Sequence, residues 1–125
     1  MSDACCEEGS NRMIIGCAGA ASVGQSTNQL AMELSEEGYG KRFCLAGIAA
    51  HRDGFVRSVR DADQMLVLDG CPIACARKII EHVDADVRNH FIITECGIEK
   101  KMRCDLNRET LDRIKEGIIK ALQSS

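Results

Sequence analysis

Short apolar runs, each ended by glycine or a polar turn, alternate along this chain with segments whose apolar residues recur at helical spacing. Met13-Ile14-Ile15-Gly16 predicts a first strand. The small residues Ala18 to Asn28 form a loop leading into a helix, whose stripe is Leu30, Ala31 and Leu34 and whose end is marked by Gly38 and Gly40. A second strand is predicted at about Arg42 to Ile48, then a loop with Ala49, Ala50 and His51 and a short helix near Asp53 to Arg60. Met65-Leu66-Val67-Leu68 is apolar on both faces, as a strand inside a parallel sheet must be. Pro72 has no N–H to lose and suits a first helical position, so Cys71 is expected as the N-cap of a helix over 73–82. His90 to Thr94 predicts a fourth strand. Leu111, Ile114, Ile118, Ile119 and Leu122 then share one face of a last helix capped near Asn107.

Helix-length connections between successive strands imply a parallel sheet with right-handed crossovers. The expected fold class is α/β, a small Rossmann-like three-layer sandwich around a four-stranded parallel sheet of order 2-1-3-4. Residues 1–11, with Cys5-Cys6, are polar and read as a mobile N-terminal tail; residues 12–125 read as a single domain.

Composition narrows the function classes. A hydrophobic share of 45% in 125 residues is enough for one ordinary core. A net charge of -3 with three Phe and one Tyr argues against a nucleic-acid surface, which wants basic patches and stacking rings. No apolar run reaches the roughly 18 residues of a membrane span, and the acidic start is no signal peptide, so a cytoplasmic protein without membrane contact is expected. Eight cysteines are many for such a chain. Without an export signal they favour metal binding or thiol chemistry over a disulfide framework.

Their positions sharpen this. Cys17, Cys44 and Cys71 stand 27 residues apart, and Cys96 follows 25 residues later. Each step is one strand–helix unit, which brings thiols to one edge of the sheet, the carboxyl edge where open α/β sheets keep their ligands. Cys75 follows Cys71 by four residues, so both would face one side of a helix's first turn, where N–H groups favour a thiolate. The bland alternative is that cysteine is simply a small residue that fits core strands. Cys44 fits least well, because Gly47 suggests its strand runs about 10 Å beyond it.

Three weaker constellations compete. Gly19, Ser22, Gly24, Gln25 and Ser26 satisfy the P-loop spacing except that Gln25 stands where lysine should, leaving an anion- or ligand-binding loop, or a close-packed glycine turn. His51 follows the second strand and could be a ligand, as could Cys96; His82 and His90 read as structural. Arg77, one turn past the thiols, could balance a thiolate cluster, although charges such as Arg77, Lys78, Lys100 and Lys101 are mostly solvated.

Four thiolates around zinc make a closed site, whereas three leave a position open. Soft sulfur also suits Cu(I) and iron–sulfur clusters. A thiol redox protein is the competing chemistry, with Cys71 as nucleophile and Cys75 or Cys17 resolving it. Asp69-Gly70-Cys71-Pro72 with Cys75-Ala76-Arg77-Lys78, preceded by Cys17-Ala18-Gly19-Ala20-Ala21-Ser22-Val23-Gly24-Gln25 and Cys44-Leu45-Ala46-Gly47-Ile48, resembles the DGC domain family over about residues 13 to 102. The resemblance implies zinc as cofactor, held by Cys17, Cys44, Cys71 and Cys75, and implies no particular reaction. Cys5, Cys6, Cys96 and Cys104 lie outside that pattern.

Overall fold

The third strand organises the sheet because it is buried on both faces. β3 (Gln64–Asp69) is covered from Met65 to Asp69 and pairs in parallel with β1 (Arg12–Gly16) on one side and β4 (His90–Ile92) on the other. β2 (Lys41–Arg42) adds to the outer side of β1, so the order is β2-β1-β3-β4, all parallel. That is the predicted order. The computed structural model describes residues 12–96 and 107–123. Cys5, Cys6, Cys104, Lys100 and Lys101 lie outside the described residues.

Strand side chains alternate between two cores. Ile14, Leu66 and Leu68 point to the face covered by α1 (Ser22–Glu36) and α5 (Arg108–Gln123), where Leu30, Leu34, Leu111, Ile114 and Ile118 meet them. Ile15, Met65 and Val67 point the other way, toward Ile48, Val59 and Ile80 of α2 (Leu45–Ala49), α3 (Asp53–Asp61) and α4 (Cys75–His82). The period of two along the strands thus divides one sheet into the middle of three layers. α5 starts as expected, with the Asn107 side chain accepting the Thr110 N–H at 3.1 Å.

Four expected boundaries move. The second strand is only two residues long: after Phe43 N–H reaches Ile14 O at 3.0 Å the chain turns into α2, so Leu45 to Ala49 is helix where a strand was predicted. A short apolar run reads equally as strand or buried helix, and here Leu and Ala favour helix. α1 begins at Ser22, inside the expected loop, and β4 ends at Ile92 before a 3-10 turn over Ile93–Cys96. The helix expected from residue 73 begins at Cys75, with Ala74 as its N-cap. Pro72 sits in the preceding turn, where Ala74 N–H donates to Cys71 O at 3.0 Å.

Candidate functional site

At the carboxyl ends of β1 and β3 lies a pocket of about 240 Å³, walled mainly by small and apolar groups. Cys17, Cys71 and Cys75 all line it, together with Gly19, Gly24, Gly70 and Asp69. Two segments far apart in sequence, around Cys17 and around Cys71–Cys75, therefore bring three thiols to one cavity.

Backbone packing builds this cavity. A methyl group on Gly24 would lie 2.6 Å from the Gly19 backbone, and one on Gly70 would lie 2.7 Å from the Gly24 nitrogen. The three glycines let the loop after β1, the first turn of α1 and the turn after β3 touch main chain to main chain. Thr27 fastens the same junction: its hydroxyl accepts the Ala18 N–H at 3.0 Å and donates to Gly24 O at 2.6 Å. Gln25 donates to Gly19 O at 2.7 Å and Ser26 to Ser22 O at 2.9 Å. The polar side chains of the predicted anion loop thus serve internal bonds, and Ser22 to Ser26 belong to α1 rather than to a P-loop cradle.

Two alanines beside the thiols hold left-handed backbone. Ala18, next after Cys17, has φ 51°, and Ala74, just before Cys75, has φ 55°. Each costs about 1 kcal/mol relative to an ordinary conformation, and strain of this kind collects where a structure must aim a side chain. Cys17 Sγ receives the Gly70 N–H at 3.4 Å, which ties the two thiol-bearing turns together.

Asp69 is the polar centre. Its side chain is 1% exposed, and it accepts N–H bonds from Ala76 at 2.8 Å and Arg77 at 3.2 Å while His90 Nε2 lies 2.7 Å from its second oxygen. The parallel register puts His90 opposite Val67, so its ring reaches Asp69 two residues on. A buried carboxylate therefore caps α4 from a distance, which corrects the expectation that the helix N-terminus serves Cys71 and Cys75 as a pair. Cys71 lies in the turn before the helix, and the first-turn amides of Ala76 and Arg77 go to Asp69. Sequence reasoning missed Asp69 in this role. The available signal was an acidic residue closing a strand that is otherwise wholly apolar, a place where a carboxylate must find partners.

The remaining predicted site residues separate from the pocket. Cys44 is exposed at the N-cap of α2, and Cys96 is exposed at the end of the 3-10 turn. Neither lines the pocket. His51 also lies elsewhere, at the end of α2, with its ring 5.2 Å from that of His82. Arg77 pairs with Glu81 at 3.0 Å on the surface of α4. His90 is structural, as expected, through its bond to Asp69.

Donor chemistry at the pocket suits a soft or borderline ion such as zinc, since three thiols face one cavity. They are not gathered into a coordination shell: among the described residues no group of three His, Cys, Asp or Glu side chains is placed to hold a metal ion. No helix among the described residues is long and apolar enough to cross a membrane.

Comparison with known proteins agrees with the motif. The chain is 26% identical over 102 residues to the anaerobic and virulence modulator AnvM of Pseudomonas aeruginosa, covering 82% of this chain and 78% of that protein. No solved structure matches. The family model of the DGC domain spans residues 13–118, from β1 through most of α5, and on that match, with the thiol-bearing Asp-Gly-Cys turn at its centre, the chain belongs to the DGC domain family.

Proposed function

We propose that this protein is a metal-binding module that takes one zinc ion through Cys17, Cys71 and Cys75. The observation that carries the reading is the convergence of those three cysteines, from two different strand ends and a helix start, on a single cavity. Three thiolates leave a fourth position open, and the cavity beside them has room for water or a small ligand there. Cys44 completes the family's cysteine set but stands at the N-cap of α2, so it joins only by moving toward the pocket. Zinc binding needs the three sulfurs to meet at one point.

The relative's name adds a direction. AnvM is named an anaerobic and virulence modulator. Thiolate ligands hold metal only while reduced and deprotonated, so a site of this kind responds to oxidising conditions. A regulatory role fits both.

Elemental analysis of chelator-free protein tests the proposal. About one zinc per chain is expected, lost in Cys71→Ser and in Cys75→Ser and retained in Cys44→Ser. Zinc content unchanged by the first two substitutions, or no zinc in the reduced wild-type chain after loading, would sink it.

A further inference from the structure

Between α2 and α4, sharing no lining residue with the thiol pocket, another cleft of about 290 Å³ is lined by residues that include Ile48, His51, Lys78, Ile79 and His82. His51 and His82 face each other there, with ring centroids 5.2 Å apart and planes at 89°. The geometry points to a two-histidine site for a divalent transition ion of the nickel–copper–zinc class, separate from the thiol pocket.

Two observations carry it. An ion bound about 2.0–2.1 Å from one nitrogen of each ring lies roughly 3.2 Å from each centroid, and at a tetrahedral angle that sets the centroids about 5 Å apart. The observed centroid spacing equals this, so that turning the rings about their side-chain bonds, with neither helix moved, would bring one nitrogen of each to the ion. The second observation is the backbone of His51. α2 ends with His51 N–H bonding Ile48 O at 2.9 Å and Arg52 N–H bonding Gly47 O at 3.1 Å, which places His51 at φ 58°. That position ordinarily goes to glycine. Here it carries an imidazole, whose ring lies beside that of His82. Water would fill the other positions, and neutral imidazoles are the form that binds. Lys78 shares the cleft, and its charge opposes the ion.

The chain has three histidines, so their ring protons report separately in NMR. Adding Ni²⁺ to reduced full-length protein at neutral pH should broaden His51 and His82 together and leave His90 sharp, since His90 is bonded to Asp69. His51→Gln or His82→Gln should weaken binding about 10-fold or more and spare the other ring, while Lys78→Met should tighten it. All three positions are exposed, so the variants should keep the wild-type fold, which the unchanged His90 signal checks. His51 and His82 left sharp by Ni²⁺, or either ring still broadened at the same concentration once its partner is replaced, would overturn the proposal.

Discussion

The carboxyl edge of the sheet and the seam between α1 and α5 are held together in opposite ways. At the edge the binding is in the main chain: glycine against glycine, left-handed alanines, and one carboxylate of 1% exposure serving two amides and a histidine. Along the outer seam it is in long charged side chains. Glu33 of α1 meets Arg108 at 2.7 Å and Lys115 at 3.1 Å, and Lys115 also meets Glu37 at 2.6 Å. Main-chain packing tolerates almost no change of shape, whereas ion pairs between long side chains, here only partly covered, adjust and are partly screened by water. The rigid device lies next to the three thiols that line the pocket.

The largest test of this contrast is Asp69. Asp69→Ala leaves two helix amides and His90 without their buried acceptor, and denaturant unfolding should show a loss of about 3–5 kcal/mol. A loss below 1 kcal/mol would mean that the edge is not built on this carboxylate. Gly24→Ala comes next, because its methyl group would press on the Gly19 backbone, which has no flexible end to move aside. A cost of about 2–3 kcal/mol is expected, with thiol accessibility altered at Cys17.

The seam should respond less, and with pH. Arg108 holds the Glu33 carboxyl down at about 2, helped by Gln29 and Lys115 and opposed by burial. A folded value below the unfolded one contributes stability above about pH 4.5 that disappears as pH falls toward about 2. Glu33→Gln should therefore cost about 1 kcal/mol at neutral pH, because Arg108 is more than half open to water, and the difference from wild type should vanish in acid. A difference independent of pH would assign the effect to packing. The smallest change has the opposite sign: Ala74→Gly relieves a left-handed alanine and should raise stability by about 0.5 kcal/mol, the relief exceeding glycine's entropic cost. If the melting temperature falls instead, the turn is not strained.

Much of the fold could be read from the chain because each long element has its own period. The buried run Met65 to Leu68, the stripe from Leu111 to Leu122 and the alternation of strand with helix determine the three layers and which faces are apolar. The same reading placed Cys17, Cys71 and Cys75 near one edge, since a thiol that recurs once per strand–helix unit returns to the same end of the sheet. It failed at Leu45 to Ala49, where six or fewer apolar residues carry no decisive period, and at Pro72, which suits a turn as well as a first helical turn.

By itself, then, the sequence determined the layers, the parallel sense of the strands and the thiol-bearing edge, because these follow from local periodicity and from chain connectivity, while the strand order β2-β1-β3-β4 was fixed only by the structure. Only the tertiary structure decided that Asp69, rather than the thiols, takes the amides of α4. It alone set Cys44 and Cys96 off the pocket and brought His51 to His82. Those outcomes depend on which polar groups reach one another once distant segments pack, and a buried carboxylate that accepts three bonds outcompetes a thiol for the same donors.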